Sequence, residues 1–241
     1  METHAVAMHM SDGLVNGGTA LLFGAAAIVA LAVALWRARA DLDDRTAPMA
    51  GLVTAFVFAV QMINFPILPG ASGHLLGGAL VAILVGPWVG MICIAIVLVV
   101  QSLLFADGGI TALGTNVTNM AVIGVLTAFG VAMALRRIAR RSRGGLILTA
   151  FVAALVSTVA AALGFVLEYA IGGAGGASLG TVFWLMGGLH LLIGIGEGVI
   201  TAATVGAVAA IRPDLVYLLR GSGPRLERRT SPVADESGSV R

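Results

Sequence analysis

Seven apolar runs, at about 18–36, 49–65, 74–86, 89–105, 119–135, 146–167 and 183–210, confine most of the charge of this chain to short intervening loops and to its two ends. A segment crosses a bilayer core with about 20 apolar residues, fewer where its neighbours bury it, and inside hydrocarbon its backbone must satisfy its own hydrogen bonds. Segments of this length and continuity do so as helices. The expected fold is therefore an all-α, polytopic membrane protein. With 59% of residues apolar and 11% charged, a water-soluble alternative is excluded.

The third run is short and is divided from the fourth only by Gly86-Pro87-Trp88, so the number of crossings has to be argued separately. Positively charged loops stay on the cytoplasmic side. Every basic residue except the histidines is an arginine: Arg37, Arg39 and Arg45 follow the first run, Arg136, Arg137, Arg140, Arg141 and Arg143 the fifth, and Arg212, Arg220, Arg225, Arg228, Arg229 and Arg241 the seventh. Seven transmembrane helices with the N-terminus outside and the C-terminus cytoplasmic put all 14 on one face. Six crossings would divide them between the two faces. Residues 74–86 are thus expected to form a short helix inside the bundle, with Gly77-Gly78 allowing close backbone approach.

This topology divides the chain into an N-terminal extension at 1–7, a seven-helix domain at 8–212 and a cytoplasmic, disordered tail at 213–241, whose Gly, Ser and Pro content is highest from Gly221 onward. The first seven residues have neither the basic nor the apolar region of a signal peptide. A net charge of +2 offers no face for nucleic acid. The single cysteine, Cys93, lies in an apolar run and reads as a small buried hydrophobe.

The polar residues collect on the other face. His4, His9, Asp12, His74, Asp107, Asn116, Asn119, Glu168 and His190 fall in or at the mouth of the outer half, with Glu197 two turns deeper than His190. Ionisable groups at membrane depth are costly and are functional by default, which points to an extracytoplasmic site. Several have plainer readings: Asp107 beside Gly108-Gly109 as a turn former, Asn116 and Asn119 as caps of the fifth helix, His190 and Glu197 as polar contacts between helices.

Met8-His9 carries the sharpest chemistry. If the chain starts at Met8, its amine, the amide nitrogen of His9 and the His9 Nδ1 can chelate one ion through fused five- and six-membered rings. A second imidazole, for which His74 is the candidate, completes four nitrogens in a plane. That set suits Ni(II) or Cu(II), admits Co(II) and disfavours Mg and Ca.

The motifs Met8-His9-Met10-Ser11-Asp12-Gly13, Asn64-Phe65-Pro66, Ser72-Gly73-His74-Leu75-Leu76-Gly77-Gly78, Gly86-Pro87-Trp88, Phe105-Ala106-Asp107-Gly108-Gly109, Leu113-Gly114-Thr115-Asn116-Val117 with Asn119-Met120, and His190-Leu191-Leu192-Ile193-Gly194-Ile195-Gly196-Glu197 follow one another over residues 8 to about 210. In this the chain resembles the CbiM/NikM family, the substrate-binding membrane subunits of energy-coupling-factor ABC importers for cobalt and nickel. The resemblance implies Met8, His9 and His74 as metal ligands, with Asp12, Asp107, Asn116 and Asn119 ordering the loops around them. It also implies a cell-membrane location, a coupling transmembrane subunit, ATP-binding subunits, a small accessory membrane subunit in some systems, and no enzymatic activity or intrinsic cofactor of its own. The absence of a Gly-x-x-x-x-Gly-Lys-Ser/Thr loop agrees, since ATP must then be hydrolysed elsewhere. The extension before Met8 departs from the family and would convert the chelating amine into a peptide nitrogen: either Met8 is the start, the simplest case, or the extension is removed, or the site differs from the family's. An enzyme alternative, a rhomboid-like protease, rests on Gly70-Ala71-Ser72-Gly73 with His190, followed by Gly194, as base, but the second run offers Asn64 and no histidine for the oxyanion.

Overall fold

The computed structural model describes residues 9–220 apart from 64, 69 and 70. Its described residues form helices α1 (Gly17–Ala38), α2 (Thr46–Gln61), α3 (Gly78–Val85), α4 (Pro87–Leu104), α5 (Leu113–Ala134), α6 (Arg143–Gly172) and α7 (Leu179–Ile211). A helical turn, Arg136–Ala139, joins α5 to α6, and two 3₁₀ turns, Pro213–Leu215 and Tyr217–Leu219, follow α7. Five of these helices, α1, α4, α5, α6 and α7, are long and apolar enough to cross a membrane.

Local sequence sets the helix ends. Asn16, Ser142 and Ser178 cap α1, α6 and α7 by accepting the amide protons of Thr19, Gly145 and Thr181. Asp43 does the same service before α2: its carboxylate accepts from the amide of Thr46 at 2.6 Å and from that of Arg45 at 3.1 Å. The Thr46 hydrogen bonds hold the Asp43 carboxyl at a pKa of about 2, below the ordinary carboxylate range.

At the centre lies α3. All eight of its residues are buried, which is how so short a helix avoids lipid. Its entry requires glycine: Gly77 has φ +79° and would drive any Cβ into Val57 of α2, while Gly78 faces the backbone of Gly124. The longest pair, α6 and α7, packs along its length, with Gly194, Gly198 and Gly206 of α7 against Leu155, Phe151 and Ile147 of α6.

Three sequence expectations are corrected. The fold is nearly, not wholly, helical: Phe65–Leu68 and Ala71–Gly73 pair as an antiparallel hairpin, β1 and β2. Pro66 removes a donor and the Pro69-Gly70 step opposes a helix, so the backbone pairs across strands instead. Helix α5 begins at Leu113, so Asn116 and Asn119 lie within it rather than capping it, Asn119 in a π-helical stretch over Val117–Gly124. The tail does not begin at 213. Residues 213–220 fold back on the bundle, burying Val216 and Leu218 and setting the Tyr217 ring against Gly86, whose φ is +89°. Residues 221–241 lie outside the described part of the chain.

The two ends of the bundle differ in chemistry. At one, Arg136 and Arg140 donate to the carbonyl of Arg220, Arg220 donates to Thr46 Oγ1, and Arg37 lies 5.4 Å from the ring centre of Trp88. At the other, where α1 and α5 begin and α6 ends, the segment 9–16 is laced to the bundle: Asn16 donates to Gly172 O at 2.8 Å and Ala174 to Leu14 O at 2.9 Å.

Candidate metal centre

Two histidines from distant segments meet at that second end. His9 precedes α1 and His74 follows β2, and their ring centroids stand 4.5 Å apart with the planes tilted by 39°. They are 3% and 1% exposed. The Nδ1 of His74 lies 2.9 Å from Leu75 O and that of His9 lies 3.0 Å from Asp107 Oδ1. Carbonyl and carboxylate oxygens only accept, so each Nδ1 carries a proton, and the neutral ring has its lone pair on Nε2. Neither Nε2 has a hydrogen-bond partner. A buried imidazole whose second nitrogen donates to a carboxylate or a carbonyl is the arrangement that metal-ligating histidines adopt.

The loops around the pair are held by the polar residues that the sequence singles out. Asn116 of α5 grips the peptide groups of Met10 at both atoms, accepting its N–H at 2.7 Å and donating to its carbonyl at 3.1 Å, and Gly109 N–H donates to the same carbonyl at 3.0 Å. Asp12 accepts from Thr111 N at 2.8 Å and from the Thr111 hydroxyl, closing the 105–112 loop over residues 9–12. That approach is possible because Gly109 has no Cβ to meet Asp12. Asp107 comes from the same loop, after Ala106 at φ +52°, a left-handed conformation that an alanine adopts only when its surroundings enforce it. The His9 hydrogen bond draws the Asp107 carboxyl below the ordinary carboxylate range.

Not every expected residue joins the pair. Asn119 donates instead to Glu168 Oε2 at 2.6 Å, a buried link between α5 and α6. His190 donates from Nδ1 to Met186 O at 2.6 Å within its own helix, and its Nε2 is also without a partner. Met8 lies outside the described residues. Among the described residues no group of three or more His, Cys, Asp or Glu side chains is arranged to hold a metal, so the two imidazoles would need other donors to complete a coordination shell.

Sequence reasoning left two residues without a part in this end of the molecule. Glu197 of α7 accepts from Leu76 N–H at 2.7 Å, Gly77 N–H at 2.9 Å and Thr158 Oγ1 at 3.0 Å, and Gln61 of α2 donates to Leu76 O at 2.6 Å. The backbone after His74 is thereby clamped from both sides. A glutamate in an apolar helix is itself a signal. Gln61, neutral and near a helix end, gave none.

A helical bundle with several membrane-spanning helices and a buried imidazole pair at one end defines a multi-pass membrane protein. The chain belongs to the CbiM family: residues 9–215 match its model, described as the cobalt uptake substrate-specific transmembrane region. It is 32% identical over 220 residues to the cobalt transport protein CbiM of Sorangium cellulosum, covering 88% of this chain and 96% of that one. It is 34% identical over 222 residues to the fused nickel transport protein NikMN of Rhodobacter capsulatus, covering 87% of this chain and 64% of that one. A crystal structure of a transition metal transporter superposes with a TM-score of 0.78 at 29% identity, covering 88% of this chain and all of the other. The protease alternative of Ser72 with His190 finds no support in these matches.

Proposed function

We propose that the chain is the substrate-binding membrane component of an energy-coupling-factor importer for divalent cobalt or nickel, and that it captures the ion at the end of the bundle where His9 and His74 meet. One observation carries the reading: two buried imidazoles, each held through Nδ1, stand with ring centroids 4.5 Å apart, and neither Nε2 has a hydrogen-bond partner. Burying two such acceptors without a partner is costly unless something occupies the gap. Nitrogen donors select late transition ions over Mg or Ca, and the relatives are named for cobalt and nickel transport.

The ligands in this reading are Met8, through its amine and the adjoining peptide nitrogen, with His9 and His74. Chelation through the His9 Nδ1 requires its hydrogen bond to Asp107 to open, so Asp107 keeps the ring aimed until the ion arrives and then accepts a changed role as a nearby negative charge. Asn116 and Asp12 hold the backbone on either side of His9, and Asn119 acts further off by tying α5 to α6. The arginine-rich end faces the cytoplasm and the histidine end faces outward, in seven crossings that include α2 and α3. Ion release inward is driven by partner subunits, a coupling membrane protein and ATPases, because this chain carries no nucleotide-binding loop.

Uptake of Co²⁺ and Ni²⁺ by cells carrying the partner subunits tests the reading. His74→Ala is expected to abolish uptake while the protein still reaches the membrane, and Met8→Leu in a chain begun at Met1 is expected to depress it strongly by replacing the amine with a peptide nitrogen. Binding should also weaken as pH falls below about 8, where an α-amino group takes up a proton and can no longer bind the ion. Undiminished uptake by His74→Ala would overturn the assignment.

A further inference from the structure

Glu197 sits at membrane depth, 1% exposed, with both carboxylate oxygens spent on backbone amides rather than on any cation. Its placement relative to His74 is specific. Leu75 C=O and Leu76 N–H belong to one peptide group; the carbonyl accepts from His74 Nδ1 at 2.9 Å, and the N–H donates to Glu197 Oε2 at 2.7 Å. The carboxylate, the peptide and the imidazole therefore form one line of hydrogen bonds that ends at the bare His74 Nε2.

We propose that Glu197 is a positioning residue for His74, acting through the Leu75–Leu76 peptide to fix the ring and strengthen Nε2 as a ligand. A negative group on a peptide N–H polarises its carbonyl, and hydrogen bonds in such a chain reinforce one another. A stronger acceptor at Leu75 O holds the proton on Nδ1 and makes Nε2 the better donor to a metal, the effect that carboxylates exert directly on other metal-bound histidines. The rest of the clamp holds the next peptide, Leu76–Gly77, and so keeps its neighbour from turning: Gly77 N–H donates to the second carboxylate oxygen, Gln61 donates to Leu76 O, and Thr158 braces Oε2 from α6. Three helices, α2, α6 and α7, thus fix the two successive peptides that flank Leu76. General interhelical packing would need neither both oxygens nor this peptide.

The proposal rests on the reading of His74 as a metal ligand, and its test separates the two. The full chain is purified in detergent with ¹⁵N-labelled histidine, and the His74 resonances are identified by their absence from His74→Ala. Without metal, His74 should carry its proton on Nδ1 with Nε2 bare; the opposite tautomer overturns the proposal. In Glu197→Gln, an amide NH₂ confronts one of the two peptide N–H groups. The His74 Nδ1 resonance should then move while those of His9 stay, and the affinity for Ni²⁺ should fall by about ten-fold, the low end of what losing an outer-sphere partner costs. Thr204→Val, which removes a hydroxyl that donates to Ile200 O within α7 and lies outside the clamp, should keep the His74 resonances and the affinity of the unsubstituted protein. An unmoved His74 resonance in Glu197→Gln overturns the proposal. Should that variant not fold, Glu197→Asp carries the same test, since withdrawing the carboxylate by one methylene must shift the resonance. If the unsubstituted protein binds no Ni²⁺ and the resonance still moves, the transport reading fails and the coupling stands.

Discussion

Replacing Asn116 by leucine should loosen the N-terminal segment without disturbing the bundle, and the size of the effect follows from the hydrogen bonds. Asn116 holds Met10 by two bonds, at 2.7 and 3.1 Å, and Met10 is 0% exposed, so water cannot replace them. The Met10 carbonyl keeps the Gly109 N–H at 3.0 Å. The Met10 N–H keeps nothing. An unpaired buried donor costs about 1–3 kcal/mol, and leucine, which keeps the branching of asparagine at Cγ, leaves no cavity to add to it. With about 1.4 kcal/mol per decade, the closed state of residues 9–12 loses about 5- to 150-fold relative to its opened forms. Amide hydrogen exchange measured by mass spectrometry reads that ratio directly. Peptides covering residues 9–16 should exchange faster by this factor in Asn116→Leu, while those covering α3 should be unchanged. Saturating Ni²⁺ should restore most of the protection, because a ligand that binds only the closed segment stabilises it. Equal exchange in the two proteins, or acceleration spread evenly through α3 to α7, would refute this account of Asn116.

Gly86→Ala should lower thermal stability markedly, since φ +89° disfavours any Cβ and the added methyl meets the Tyr217 ring; melting of the purified protein should show it, and Tyr217→Ala should relieve only the steric part. The Asp43 cap gives a pH signature. Its folded pKa of about 2 lies below the unfolded value of 3.8, so its stabilisation is complete above about pH 4 and disappears as pH falls through about 2. The melting difference between the unsubstituted protein and Asp43→Ala should be constant from neutral pH to about 5 and close by about 2. Topology is tested by a cysteine probe in intact cells, with Cys93 buried as a silent background. Ala174→Cys should react with an impermeant reagent from outside and Gly144→Cys should not; the reverse pattern would invert the orientation.

Much of this molecule was legible in its sequence because the physics acting there is one-dimensional. Hydropathy anticipated the five helices long enough to span a membrane, and within the short run at 74–86 lies the fully buried α3. His9, His74 and Asp107, 98 residues apart at the extremes of their hydrogen bond, were singled out because each is an expensive polar group in an apolar chain. What the sequence withheld concerns the backbone. The β1–β2 hairpin follows from amides that Pro66 and its neighbours keep out of a helix, and hydropathy does not count amides. The Glu197 clamp closes on the N–H groups of Leu76 and Gly77, which every residue type but proline offers alike. Helix α5 started earlier than its apolar run because Thr115 and Asn116, polar by composition, are buried and satisfied by backbone groups. The return of Val216 and Leu218 to the bundle had a signal, the apolar Leu215-Val216-Tyr217-Leu218-Leu219 run, which the arginines around it outweighed.

X-ray absorption at the nickel and cobalt edges of the metal-loaded, purified protein reaches the centre itself. One ion per chain, a first shell of nitrogen alone and the outer-shell scattering of two imidazoles are expected, falling to one imidazole with most of the metal lost in His74→Ala. A shell dominated by oxygen, or two imidazoles still present without His74, would contradict the His9–His74 centre.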